Sequence, residues 1–128
     1  MADALLFDTD VLIEYLRGRQ RAAQFFGSLD DEPLYVSVIT VAELYAGVRE
    51  DEERSLADFL ELFDKVPLDS AVARRAGLLT NHYGPTHGTG LADAVIAASA
   101  DTTNATLVTF NDRHYPMVDN VTVPWSRE

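Results

Sequence analysis

Ala4-Leu5-Leu6-Phe7-Asp8, running straight into Thr9-Asp10-Val11-Leu12-Ile13-Glu14-Tyr15-Leu16-Arg17-Gly18, is the stretch whose reading decides the fold. The apolar run before Asp8 reads as a buried strand. After it, Val11, Leu12, Tyr15 and Leu16 recur at helical spacing, and Arg17-Gly18 closes the segment with a charge and a glycine stop. A strand that turns directly into a helix belongs to a chain in which the two alternate, and an acid stands at the junction.

The alternation continues outward. Residues 21–29 are predicted as a second helix, followed by the polar turn Asp30-Asp31-Glu32-Pro33, and residues 34–39, rich in branched side chains, as a second strand. Thr40 starts a helix carrying Leu44, Tyr45 and Val48. The acidic break Glu50-Asp51-Glu52-Glu53 precedes a helix with Leu56, Phe59, Leu60 and Phe63 on one face. Val66-Pro67-Leu68 is a short strand or connector, residues 70–83 a helix, and residues 84–90 a loop with three glycines and one proline. Residues 91–100 are nearly all apolar and are predicted as a central, buried helix. Residues 107–109 and 121–123 read as the last strands. Strands alternating with helices imply a parallel sheet covered on both faces. The expected fold is therefore α/β: one three-layer α/β/α domain over residues 1–128 with a central, mainly parallel sheet.

The chain has 128 residues, a length that fits one domain with a proper core. It has no cysteine, which excludes a disulfide framework, a thiolate metal site and a cysteine nucleophile. A net charge of −11 excludes nucleic-acid binding by a broad basic surface and fits a protein that binds cations or meets a basic partner. Residues 1–7 lack the basic start and apolar core of a signal peptide, and no apolar run approaches membrane-spanning length, so a cytoplasmic protein is expected.

The informative acids fall at element junctions. Asp8 stands beyond the carboxyl end of the first strand, where open α/β sheets bind ligands, although it could equally serve as a helix N-cap. Glu43 follows Thr40 at capping-box spacing, so it could serve its own helix end or a site. Asp93 lies in the first turn of an otherwise apolar helix, where a buried carboxylate needs a partner or a metal. Asn111-Asp112 follows another strand end and is also an ordinary turn pair. If these groups converge, crowded carboxylates require a proton or a cation, and Mg²⁺ or Mn²⁺ suits such oxygen ligands. Ions of that kind serve phosphodiester cleavage.

Four blocks of sequence then resemble the PIN-domain family, and within it VapC-type toxins of toxin–antitoxin pairs. They are Leu6-Phe7-Asp8-Thr9-Asp10-Val11-Leu12-Ile13 with Tyr15-Leu16-Arg17-Gly18; Ser37-Val38-Ile39-Thr40-Val41-Ala42-Glu43-Leu44-Tyr45-Ala46-Gly47; Leu91-Ala92-Asp93-Ala94-Val95-Ile96-Ala97-Ala98; and Leu107-Val108-Thr109-Phe110-Asn111 with His114-Tyr115. The resemblance implies a PIN-like fold and a metal-dependent endoribonuclease using Mg²⁺ or Mn²⁺, which leaves a 3′-hydroxyl and a 5′-phosphate on RNA. It also implies a homodimer, held in check by a small VapB-type antitoxin whose tail covers the acidic site. On this resemblance Asp8, Glu43 and Asp93 are the core catalytic and metal-binding acids. The fourth position falls on Asn111 or Asp112, with Asp112 taken as the charge and Asn111 as a positioning residue. Thr9, Asp10 and Thr109 support the site.

Other signals are read more plainly. His82 and His87 are expected as loop residues rather than a zinc pair, and His114 either as a loop residue or as one that approaches the site. Gly84, Gly88 and Gly90 could cradle a phosphate or simply allow a mobile loop. Arg17, Arg19 and Arg21 form the only basic cluster, either contacting RNA or solvated at a helix junction. Tyr45, Phe59, Phe63 and Trp125 are expected in the core or at an interface, and the acidic stretch 50–64 on a solvated face that could meet a basic antitoxin. Phe7-Asp8-Thr9-Asp10 also resembles the opening of a haloacid-dehalogenase-type phosphatase, with Asp8 as nucleophile, but Val11-Leu12 replaces the usual Gly-Thr and Lys65 is the only lysine. A PIN-fold protein that binds RNA or a partner without cutting is the remaining alternative.

Overall fold

Side chains of successive strand residues point to opposite faces of a sheet, and that alternation organises the whole chain. The computed structural model describes residues 3–127; Met1, Ala2 and Glu128 of the predicted 1–128 domain lie outside the described residues. Five strands, β1 (Leu5–Phe7), β2 (Leu34–Ser37), β3 (Asp64–Val66), β4 (Thr106–Val108) and β5 (Val121–Thr122), form one sheet in the order β3-β2-β1-β4-β5. Every pairing is parallel, with Leu6 set between Tyr35 and Leu107. Phe7, Val36 and Val108 face α1 (Thr9–Leu16), α2 (Gln20–Gly27) and α4 (Glu53–Leu60), where they meet Leu12, Phe26, Leu56 and Phe59. Leu6, Leu107 and Val66 point the other way, onto Ile96 and Ala97 of α6 (Leu91–Thr103), which packs in turn against α5 (Ser70–His87). The fold is the expected three-layer α/β/α arrangement. Phe7 stacks on Phe26 with ring centroids 5.0 Å apart and meets Phe25 and Phe63 edge-on, so one ring of β1 anchors α2 and the chain beyond α4.

Several boundaries differ from the sequence reading, each for a local reason. The second strand stops at Ser37, not at residue 39, because Ser37 turns and caps α3 (Val38–Ala46), its Oγ accepting from the Ile39 amide at 3.2 Å. β3 ends at Val66 rather than running 66–68, since Pro67 has no N–H for the ladder. The expected loop at 84–90 is mostly helix: α5 continues to His87, through Pro85. A residue before proline resists the helical region partly because of its Cβ, and Gly84 has none. Gly88 then ends α5 in the left-handed region at φ 68°, where glycine is favoured. α6 runs on to Thr103 and ends at Asn104, also left-handed.

The order of strands fixes where a site can form. From β1 the chain adds β2 and β3 on one side, then crosses over to place β4 on the other. The crevice beyond Phe7 and Val108 is therefore the topological switch point, the usual ligand position in such sheets. No helix among the described residues is long and apolar enough to cross a membrane.

Candidate metal centre

Asp8 leaves β1 with extended backbone, caps the helix that follows and bonds two further side chains across the crevice. Its Oδ1 accepts from the Thr9 amide at 2.7 Å, capping α1, while Oδ2 accepts from the Thr109 hydroxyl at 2.7 Å and the Tyr115 hydroxyl at 2.9 Å. Asp8 is only 6% exposed. Burial pushes its carboxyl above the usual range despite those three donors, and the charge of Asp93 adds to the shift.

Asp93 sits in the first turn of α6, whose apolar residues Ala94 to Ala98 bury it against the sheet. One oxygen serves its own helix end, accepting from the Gly90 amide at 3.1 Å, and lies 3.3 Å from His114 Nδ1. The other lies 3.2 Å from the Tyr115 hydroxyl. A single phenol oxygen thus stands between Asp8 and Asp93.

Glu43 does not cap its own helix. Ser37 does that, which places Thr40 inside α3, and Thr9 Oγ1 donates instead to Glu43 Oε1 at 2.6 Å and lies 3.1 Å from Thr40 Oγ1. The Thr40–Glu43 pair that spells a capping box is turned toward α1. Thr9 thereby carries Glu43 while its amide holds Asp8.

Asp10, expected as support, is the fourth acid of this group. Its Oδ2 accepts from the Phe110 amide at 3.1 Å and from Asn111 Nδ2 at 3.2 Å, while the buried Oδ1 has no partner among the described residues. Burial and the neighbouring Asp8 charge raise its carboxyl to about 7. Asn111 also donates its amide to Thr109 Oγ1 at 3.0 Å. Asp112 differs from the expectation: it is exposed at the start of a short 3-10 turn (Asp112–His114), and among the described residues its carboxylate joins none of these bonds. Of the two candidates for the fourth position, the geometry draws in Asn111 and leaves Asp112 outside, because Thr109 and Asp10 together hold residue 111 and turn the next one to solvent.

Asp8, Thr9, Asp10, Glu43, Asp93, Thr109 and Asn111 therefore belong to one hydrogen-bonded network, to which the structure adds Tyr115 and Thr40, while His114 approaches it at Asp93, as one of its two readings had it. Tyr115 was not legible as a site residue, since nothing local separates a phenol at a site from a core ring. Its burial, with the charges of Asp8 and Asp93, holds the phenol far above its ordinary pKa, so it stays a proton donor. The acids are linked through hydroxyls rather than packed as a cage: among the described residues no three acidic or imidazole side chains form a ready-made metal site. The donor set nevertheless fits a hard divalent cation. Two buried carboxylates have raised affinities for protons, one buried oxygen is orphaned, and among the described residues no Arg or Lys forms an ion pair with Asp8, Asp10 or Asp93.

The remaining signals sort themselves. His82 and His87, expected as loop residues, instead lie on α5 beside Tyr83, because that helix runs on through Pro85. Gly84 lies in a helix, and the Gly90 amide is taken by Asp93, so the glycines form no phosphate cradle of the kind considered. Lys65 gives its ammonium to the Leu60 carbonyl, which occupies the one lysine that a phosphatase site could use. Arg17 and Arg19, with Arg49, Ile13, Leu44 and Val48, line a cleft of about 700 Å³ that includes Glu43. Arg21 instead bonds the Ser126 carbonyl at 2.8 Å. Phe59, Phe63 and Tyr45 pack in the core, and Trp125 closes on Phe25 and Phe110.

Comparison with known proteins adds three findings. The sequence pattern of the PIN domain matches residues 5–119. The chain is 39% identical over 124 residues to ribonuclease VapC10 of Mycobacterium tuberculosis, covering 95% of this chain and 93% of that one, and 34% identical over 123 residues to ribonuclease VapC19 of the same organism, covering 94% and 98%. Among solved structures it resembles a chain of a toxin–antitoxin complex from Klebsiella pneumoniae, with a TM-score of 0.81 and 26% identity over 96% of this chain and 99% of that one.

Proposed function

This chain belongs to the PIN-domain family, and from that membership we propose that it is a metal-dependent endoribonuclease, the toxin of a type II toxin–antitoxin pair. The observation that carries the proposal is the convergence of Asp8 and Asp93 on one phenol at the switch point of the sheet, with Glu43 and Asp10 tied to the same framework. Asp8, Asp93, Glu43 and Asp10 would hold Mg²⁺ or Mn²⁺, and the exposed Asp112 lies near enough in sequence to meet substrate at the rim. When bound, such an ion acidifies water and neutralises charge developing on the phosphodiester.

The chain's own residues supply the rest. Thr9 holds Glu43 by one carboxylate oxygen and so fixes the orientation of a side chain that also lines the cleft. Thr109 and Thr9 fix the orientation of Asp8, and Asn111 fixes that of Asp10. Because the chain carries a net charge of −11, the bound ion and Arg17, Arg19 and Arg49 along the cleft provide the attraction for phosphate. The partner that restrains the enzyme is a VapB-type antitoxin, supported by the toxin–antitoxin complex among the structural relatives. A homodimer belongs to the same proposal and rests on the family resemblance. A cytoplasmic location accords with an RNA substrate.

Labelled RNA incubated with purified protein and Mn²⁺ is expected to be cut, and chelation to stop the cutting. Equal cleavage by wild type and Asp93→Asn would overturn the mechanism. RNA binding without cleavage under all metal conditions would instead identify a non-cleaving PIN domain, and a phosphoryl adduct on Asp8 would identify a phosphatase.

A further inference from the structure

Tyr115 is 1% exposed, with its ring packed among Leu6, Ile96 and Leu107 beneath the sheet. Its hydroxyl therefore reaches the acidic site from the protein interior. That hydroxyl stands 2.9 Å from Asp8 Oδ2 and 3.2 Å from Asp93 Oδ1, and a phenol has one proton to give to two acceptors. The position of the ring does not depend on either carboxylate. The Tyr115 amide donates to the Asp112 carbonyl at 2.9 Å, the Tyr115 carbonyl accepts from the Val118 amide at 3.2 Å, and the His114 carbonyl accepts from the Thr89 hydroxyl at 2.6 Å, which ties this segment to the start of α6.

We infer that Tyr115 is a positioning residue for the metal ligands: its hydroxyl, delivered from the buried side, holds the Asp8 and Asp93 carboxylates turned toward one another so that a divalent cation can join them. The inference rests on the reading that those two acids hold the ion. Two anionic oxygens this close repel in a poorly solvated site, and Asp93 is also drawn toward Gly90 and His114. With no donor between them, nothing on the buried side would keep Asp93 facing Asp8. Groups that orient metal ligands in this way typically change metal affinity by roughly 10–100-fold when removed. A tyrosine that only filled the core would leave metal affinity unchanged on losing its oxygen.

The test is calorimetric titration of metal-free protein with Mn²⁺, without RNA, for wild type, Tyr115→Phe and Asp93→Asn, alongside thermal melts in chelator. Phenylalanine keeps the ring, so Tyr115→Phe is expected to melt close to wild type, to bind Mn²⁺ roughly 10–100-fold more weakly, and to regain kcat at high Mn²⁺. Tyr115→Phe with wild-type or tighter Mn²⁺ affinity, while Asp93→Asn has lost binding, overturns the inference alone. Wild type that binds no Mn²⁺, or Asp93→Asn that binds as wild type does, overturns the metal-site reading and the inference with it.

Discussion

Replacing Asp10 by asparagine should stabilise the metal-free protein at alkaline pH and loosen its hold on divalent ions. Burial, with the charge of Asp8, raises the Asp10 carboxyl from 3.8 to about 7. Between those limits the folded chain keeps a proton there that the unfolded chain has released, so stability falls as pH rises from about 4 to about 7. Above that window the folded state carries the whole cost of a buried carboxylate. Roughly three pH units at ~1.4 kcal/mol each put that cost at about 4 kcal/mol. The Asp10→Asn variant removes it and keeps an oxygen for the Phe110 amide. In exchange an N–H occupies the place of the orphaned Oδ1, which costs about 1–3 kcal/mol. The net gain is about 1–3 kcal/mol, or a Tm higher by about 4–12 °C at ~4 °C per kcal/mol for a chain of this length. Thermal unfolding in chelator at about pH 8 measures it. At about pH 5 wild-type Asp10 is already protonated, so the advantage should vanish or reverse. A gain of the same size at both pH values, or none at the higher one, would refute the reasoning.

Other consequences follow from the same network. Thr9→Val keeps the branched shape but frees Glu43 and Thr40, and should lose about 1–2 kcal/mol in urea unfolding together with a fall in kcat. Asn111→Ala should lower kcat by roughly tenfold, whereas Asp112→Asn should stay within about twofold of wild type; equal losses would place Asp112 among the ligands. Mn²⁺ at about 100 times its Kd should stabilise the protein by ~2.7 kcal/mol, and chelator should reverse the gain.

Much of this arrangement could be read from the chain because it is local. The run ending at Phe7 and the apolar helix containing Asp93 announce their elements by composition, and both acids stand where an element begins. Glu43 shows where local reading stops. Ser37 and Thr40 are both chemically able to cap α3, and the choice falls to Ser37 because Thr40 and Glu43 are engaged by Thr9, 31 and 34 residues away. The choice between Asn111 and Asp112 is of the same kind, since it turns on which residue Thr109 and Asp10 can reach beyond a strand end. The helical turn through Gly84-Pro85 was concealed by two residues that separately argue for a loop and together permit a helix. Tyr115 lay furthest out of reach: its role depends on where its ring is buried, which follows from the order of the strands and not from its neighbours in the chain.

The central claim is that Asp8 and Asp93 close around a divalent cation, and diffraction from crystals soaked in Mn²⁺ tests it most directly. Anomalous scattering should show a peak bonded to both carboxylates at roughly the 2.0–2.2 Å expected of small divalent ions with oxygen ligands. No peak at saturating Mn²⁺, or one held by residues outside the group around Asp8 and Asp93, would contradict it.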